Sequence, residues 1–251
     1  MHNYKLIVEY DGSPYRGWQV QKNAKTVQGT LIAAAGSLFD APVEIQGAGR
    51  TDAGVHALGQ VAHLIARQDM APAKVMNGLN QLLPSTIAVL SVQRVPLSFH
   101  ARKDAQARVY AYVLSMRRSA FSKKFTWWLK ERPDPEKTSQ ALQIFKGLHD
   151  FSSFSERDAE NKSASTKVKI MDARLLAGPD AWVIQITGSH FLWKMVRRMV
   201  GMAVEAGMER FSPEDIVAML HAPSRVPAQY TAPPSGLFLE KVLYNDHKAS
   251  R

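Results

Sequence analysis

Tyr4, Leu6, Val8 and Tyr10 stand two residues apart, the spacing of one face of a strand, and the run ends in the turn signal Asp11-Gly12-Ser13-Pro14. From Val27 to Phe39 the period changes. Leu31, Ala34, Ala35 and Leu38 fall on one side of a helix, and Thr26 is placed to cap its first turn. Two alternating segments follow, Val43 to Gln46 and Gln60 to Ile65. A helix from Pro72 to Leu83 then turns Val75, Met76, Leu79 and Leu83 inward, and Thr86 to Val95 forms a fourth strand. The order is β-α-β-β-α-β, the split βαβ or ferredoxin-like pattern.

After the connection from Pro96 to Ala105 the same order recurs. Ala107 to Leu114 alternates as a strand, and Pro135 opens a helix to about Lys146. Lys167 to Leu176 and Ala181 to Thr187 form a hairpin around Gly178-Pro179-Asp180. Ser189 precedes a helix from Phe191 to Gly207, Ser212-Pro213-Glu214-Asp215 starts a short one, and Leu237 to Tyr244 is the closing strand. The predicted class is α+β. Two ferredoxin-like halves are expected, 1–100 and 101–245 with a tail at 246–251, each a mostly antiparallel sheet with helices on one face. The stretch Phe151 to Lys169, rich in Ser, Lys and acids, is expected to be mobile.

Only the first half carries a long connection between its middle strands, the loop Gly47-Ala48-Gly49-Arg50-Thr51-Asp52-Ala53-Gly54-Val55-His56-Ala57. Its three glycines predict backbone angles closed to other residues and close approach of a ligand. In an extended segment Arg50 and Asp52 share a face, and a guanidinium beside a carboxylate keeps the acid ionised and aimed. The loop is neither a dinucleotide fingerprint, which needs Gly where Asp52 stands, nor a P-loop, which needs Lys where Val55 stands. Asp52 and His56 are four apart, but Gly54 between them opposes a helical metal site.

Charge gives the partner a sign. Lys and Arg number 32 against 22 Asp and Glu, a formal net charge of +10 with a pI near 9.8, which favours polyanions, nucleic acid first. No apolar run approaches membrane-spanning length and no signal-peptide core follows Met1, so a cytoplasmic protein is expected. The absence of cysteine excludes disulfides, a thiolate nucleophile and a Cys-containing zinc site. From Ala101 to Arg132, Arg102, Lys103, Arg108, Arg117, Arg118, Lys123, Lys124, Lys130 and Arg132 are interleaved with Tyr110, Tyr112, Phe121, Trp127 and Trp128. Cations match phosphates and flat rings match unpaired bases, a mixture suited to RNA; ordinary core aromatics on a solvated strand are the plainer alternative. In the helix from Phe191, Leu192, Met195, Val196, Met199 and Ala203 form a core stripe, while Lys194, Arg197 and Arg198 gather on a basic face. That face is either solvated or set on phosphate.

Several of these stretches together resemble one family, the tRNA pseudouridine synthases that modify the anticodon stem-loop (tRNA pseudouridine synthase I). The matching residues are Tyr10-Asp11-Gly12, Gly17-Trp18-Gln19-Val20-Gln21, the loop 47–57 with Gly59-Gln60-Val61, Phe99-His100-Ala101-Arg102, Arg108 with Tyr110 and Tyr112, His149-Asp150-Phe151 with Phe154, Phe191-Leu192 with Met195-Val196-Arg197 and Val200-Gly201, and Ala232-Pro233-Pro234 with Gly236-Leu237. They run in the family's order from about residue 4 to 244. The resemblance implies Asp52 as nucleophile, Arg50 as its partner and Tyr110 packed on the target uracil, with Leu237 beside the substrate. With RNA as the partner, Arg102, Arg108, Lys194, Arg197 and Arg198 are the expected contacts to it. The resemblance further implies two lobes sharing a continuous sheet with a basic central cleft, a homodimer, no cofactor and uridines 38 to 40 of tRNA as targets; that no metal is expected follows from the loop spacing. Departures at Phe125 to Lys137, Ser155 to Lys167 and Trp193-Lys194 bear on substrate range more than on chemistry.

The chemistry fits these residue types. Isomerisation breaks the bond from N1 to C1′, turns the base over and joins C5 to C1′; a carboxylate can add to the sugar, add to the base or take a sugar proton. The base must leave its stack, which calls for a platform and a basic surface for the backbone. Two rivals belong to other classes: an RNA-binding protein without catalysis, since β-α-β-β-α-β is also a plan of RNA-recognition modules, and a hydrolase using Asp52 and His56.

Overall fold

A computed structural model describes residues 1–156 and 165–245. In chain order its elements are β1 (His2–Tyr10), α1 (Val27–Phe39), β2 (Glu44–Gly47), β3 (His56–Ala66), α2 (Pro72–Leu82), β4 (Ile87–Val95), β5 (Ala105–Ser115), β6 (Trp127–Trp128), α3 (Pro135–Ile144), β7 (Gly147–Asp150), β8 (Lys167–Ala177), β9 (Ala181–Gly188), α4 (Met195–Gly207), α5 (Pro213–His221), α6 (Val226–Gln229) and β10 (Leu237–Tyr244). They combine helices with largely antiparallel strand pairing, an α+β arrangement. The chain divides into two compact units, Met1–Gln106 with the chain from Phe238, and Ala107–Leu237. No helix among the described residues is long and apolar enough to cross a membrane.

In the first unit the strands lie in the order β4-β1-β3-β2, antiparallel throughout. The alternation in β1 buries Tyr4, Leu6, Val8 and Tyr10, and α1 lays Val27, Leu31, Ala34, Ala35 and Phe39 into the core. Thr26 caps α1 as the sequence predicts, its hydroxyl accepting from the Gly29 N–H, a contribution of about 1 kcal/mol. One edge of β3 carries two neighbours: residues 62–65 pair with β2, and His56 and Ala57 pair in parallel with Phe238 and Leu239 of β10. The second pairing explains why β3 starts at His56 and not at the predicted Gln60. Its partner strand stands at the far end of the chain and cannot be found in local periodicity.

In the second unit the order is β7-β8-β9-β5, also antiparallel, with β6 parallel to the end of β5. Helices α3 and α4 pack against each other, and α5 starts with the predicted capping box between Ser212 and Asp215. Other expectations need correction. Helix α4 begins at Met195, not Phe191, because Lys194 takes a left-handed φ of 61° and Phe191 is anchored edge-on against Tyr110 at 5.1 Å. Phe151 and Phe154, expected in a mobile stretch, are fully buried and pack with Phe145 at ring distances of 5.1 to 6.3 Å. The short elements β6, β7 and α6 have too few residues to establish a period and leave no signal in the sequence. The central part of that expected mobile stretch, 157–164, and the predicted tail 246–251 lie outside the described residues.

Candidate active site

The connection from β2 to β3 narrows to Ala48–Val55 and rests on a second segment, Asp11–Trp18, that follows β1. The two touch through backbone. Trp18 N–H donates to the Thr51 carbonyl at 3.1 Å, and Gly54 N–H to the Tyr15 carbonyl at 3.4 Å. Such contact leaves no room for side chains at two glycines of the lower segment: a Cβ on Gly12 would lie 1.9 Å from the Val55 oxygen, and one on Gly17 2.6 Å from the Thr51 oxygen. Tyr15 and Trp18 fill the space beneath as buried rings, and Gly47 lies flat on the Trp18 indole. The lower segment is itself tied to α1, with Val27 N–H donating to Gly17 and Gln28 N–H to Trp18.

Side chains complete the support. Thr51 is buried and shares a 2.8 Å hydrogen bond with the Tyr10 hydroxyl. Burial holds the Tyr10 hydroxyl well above its usual pKa, against the opposing pull of its hydrogen bonds to Thr51 and Gln60, so it stays neutral. Gln60, fully buried, donates to the Gly49 carbonyl at 2.9 Å. His56 is buried, stacks on Phe238 at 4.8 Å, and its Nδ1 accepts from the Gly12 N–H at 3.0 Å. The same nitrogen lies 3.3 Å from the Asp11 carboxylate. His56 therefore braces the Gly12 turn.

On this support Asp52 is half-buried and Arg50 exposed. Arg50 enters no ion pair among the described residues, and the backbone beneath Asp52 holds that residue in place. The glycine expectation is corrected in part. Gly54 has a positive φ of 76° and Gly47 is pressed on a ring, but Gly49 has neither a positive φ nor, among the described residues beyond its chain neighbours, any atom within 4 Å of the point a Cβ would occupy. The support formed by Tyr10, Tyr15, Trp18 and Gln60 is the part that reading the loop alone misses; the paired glycines at 12 and 17 are its signal.

Within the second unit, Tyr110 lies on β5, buried, with Phe191 against its ring. Arg108 is buried two residues earlier and donates to the Ser189 carbonyl at 2.9 Å. Leu237, the last residue of this unit, is also buried. Arg102, in the first unit, is exposed on a turn where its N–H and that of Lys103 donate to His100 Nδ1. The basic face of α4 is largely engaged: Lys194 reaches Glu156 at 2.6 Å, Arg197 donates to the Ala232 carbonyl at 2.6 Å, and Arg198 donates to the Ser155 carbonyl at 2.6 Å and lies 3.4 Å from Glu156. The Arg198 side chain is only 9% exposed, which makes it a structural tie for the chain before residue 157.

A half-buried carboxylate whose backbone is fixed from below is set up for nucleophilic or general-base chemistry. Residues 6–104 and 141–245 match the family model described as tRNA pseudouridine synthase. A protein of Rhodopseudomonas palustris (strain BisB18) named tRNA pseudouridine synthase A is 41% identical over 247 residues, 97% of this chain and 100% of the relative. Proteins of the same name from Acetivibrio thermocellus, 39% identical over 97% of this chain and 100% of the relative, and from Exiguobacterium sibiricum, 36% identical over 99% of each, are also similar. The chain belongs to the tRNA pseudouridine synthase family and is an isomerase acting on tRNA.

Proposed function

We propose that the chain converts uridine to pseudouridine at positions 38 to 40 of the anticodon stem-loop of tRNA, with Asp52 as nucleophile and no cofactor. The observation that carries this reading is the double-layered loop, in which two glycines, a buried tryptophan and the Tyr10–Thr51 hydrogen bond fix the backbone on both sides of Asp52. Fixing a nucleophile in advance removes orientational freedom that would otherwise be lost at the transition state. In this reading Arg50 meets the substrate from its exposed position, Tyr110 packs on the target base, and Leu237 lies beside it. The N1–C1′ bond breaks, C5 bonds to C1′, and the C5 proton is replaced by one on N1, so no atoms or electrons are gained. The reading also takes the chain as two ferredoxin-like halves, 1–100 carrying the chemistry and 101–245 adding tRNA contacts; the β4-β1-β3-β2 order supports the first half. A homodimer in the cytoplasm belongs to the same proposal.

Mapping pseudouridine in tRNA from cells lacking the protein tests it. Loss confined to positions 38 to 40, restored by the wild-type gene, is the expected result; an unchanged map overturns it. The hydrolase alternative would yield cleaved fragments, and it is disfavoured by His56, whose ring is buried on Phe238 with Nδ1 engaged.

The basic face of α4 divides under this reading. Lys194→Gln with Arg197→Gln is expected to flatten the salt dependence of tRNA binding, by about 0.7 to 0.9 in slope for each phosphate no longer neutralised. Arg198→Gln is expected to lower stability by about 1–3 kcal/mol, since it removes charged hydrogen bonds from a buried site. Salt titrations of binding and thermal melts on each variant check both statements; an unchanged slope in the double variant leaves these side chains as a packing feature only.

A further inference from the structure

The segment from Arg117 to Leu129 presents rings to solvent without lacking structure. Ser122–Lys124 form a single 3-10 turn closed by Phe125 N–H on Ser122 at 2.8 Å, with the Thr126 hydroxyl on the same carbonyl at 3.1 Å. Trp127 and Trp128 pair with Leu114 and Ser115 of β5, Leu129 is buried, and the Trp127 ring meets Tyr112 edge-on at 6.2 Å. On this anchored backbone Phe121 is 95% exposed, and Phe125 and Trp128 are each 39% exposed. The Arg118 guanidinium lies 5.7 Å from the centre of the Trp128 ring.

Charge selects the occupant. Between residues 117 and 132 stand Arg117, Arg118, Lys123, Lys124, Lys130 and Arg132, with Glu131 the one acid. A purely apolar partner would not require this field, and the same segment of a second copy would set its six cations against these. A polyanion fits the cations, and exposed rings spaced among them fit the π-faces of unpaired bases, which a duplex keeps stacked. We infer that Phe121 and Trp128, with Arg118 and Lys123, form a further RNA surface on which unpaired nucleotides of the tRNA stack, made of residues other than those assigned to the reacting uridine although the Thr126 carbonyl beside it accepts from the Ser235 hydroxyl at 3.1 Å, two residues before Leu237. The inference rests on tRNA being the substrate. It concerns binding alone, so no reaction step involves these residues.

The test uses the full-length protein and an unmodified tRNA transcript. Phe121→Ala removes an exposed ring and its thermal melt is expected to match wild type, while Trp128→Ala, which also removes packed ring surface, is expected to melt lower but to remain folded at the assay temperature. The double variant is expected to raise KM and the directly measured Kd at least ~10-fold with kcat unchanged, because stacking on an aromatic ring contributes substantially for each base. Arg118→Gln with Lys123→Gln is expected to reduce the salt slope of binding by about 0.7 for each phosphate no longer neutralised. Photocrosslinking with 4-thiouridine placed in the tRNA loops is expected to give adducts within 117–130. An unchanged Kd in the double ring variant overturns the inference. So does a Kd change that tracks dissociation of an oligomer in sedimentation, which would make this an interface between copies, and so does equal loss of binding to anionic vesicles, which would make it a lipid-facing surface. A wild-type protein that binds tRNA without isomerising it would overturn the proposed function while leaving this measurement of Kd readable.

Discussion

Asp52→Asn is expected to fold, bind tRNA with wild-type affinity and release tritium from C5-labelled uridine at least ~10³-fold more slowly, equivalent to roughly 4 kcal/mol of transition-state stabilisation. The size follows from what the substitution removes. The amide keeps nearly the shape of the carboxylate, and the loop's support is backbone-to-backbone, through Trp18 N–H on the Thr51 carbonyl and Gly54 N–H on the Tyr15 carbonyl. The substitution therefore spares the geometry and takes away the charge and nucleophilicity. Melting temperature and tRNA affinity measured on the same preparation separate chemistry from folding. Mass spectrometry must exclude deamidation back to Asp. A variant that releases tritium within about tenfold of wild type would show that another group attacks.

The parts of the fold legible in the sequence are those whose determinants are local. Thr26 and the stripe behind it bound α1, Ser212-Pro213 starts α5, and the alternation from Leu237 to Tyr244 gives β10 its observed limits. Each rests on contacts within a turn or on side-chain parity. What is not legible depends on partners distant in sequence. His56 looks like a loop residue until Phe238 stacks on it, and Trp18 looks like part of a polar turn until Thr51 and Gly47 close over it. Arg198 has the helical spacing of a solvent-facing cation, yet the chain at Ser155 and Glu156 folds over it.

The candidate site divides along the same line. A polar, glycine-rich loop between apolar strands marks Asp52 as the group to watch, because the acid sits where a ligand can approach. Its support is hidden by the small size of the residues that create it. Gly12, Gly17 and Gly49 are identical as letters, but the first two have carbonyl oxygens where a Cβ would go, and the third faces open space. The expected partnership of Arg50 with Asp52 follows from spacing alone. In the folded chain Arg50 is exposed, and the backbone that carries Asp52 is positioned from Gly17 and Trp18.

Gly17→Ala is accordingly expected to disturb Asp52 more directly than the same change at Gly49 in the loop itself. The residue has φ of 97°, which an L side chain rarely adopts, and the new Cβ would stand 2.6 Å from the Thr51 oxygen, 3.2 Å from the Asp52 carbonyl carbon and 3.3 Å from the Ala53 nitrogen. Backbone strain of this kind costs about 1–3 kcal/mol. Relieving the contact by lifting the loop moves Asp52, and a displacement of about 1 Å is enough to lower kcat about 10²-fold. Gly49→Ala supplies the control in the same loop. With no atom within 4 Å of its Cβ position, it is expected to stay within about 0.5 kcal/mol of wild-type stability and about twofold of wild-type turnover. If Gly17→Ala unfolds outright, Tyr10→Phe tests the same support more gently, since it removes only the hydroxyl that bonds Thr51 at 2.8 Å; kcat is then expected to fall about tenfold with KM held. Melts and steady-state kinetics on the three variants decide the matter. Equal turnover in Gly17→Ala and Gly49→Ala, or full turnover in Tyr10→Phe, would mean that Asp52 does not depend on the layer beneath it.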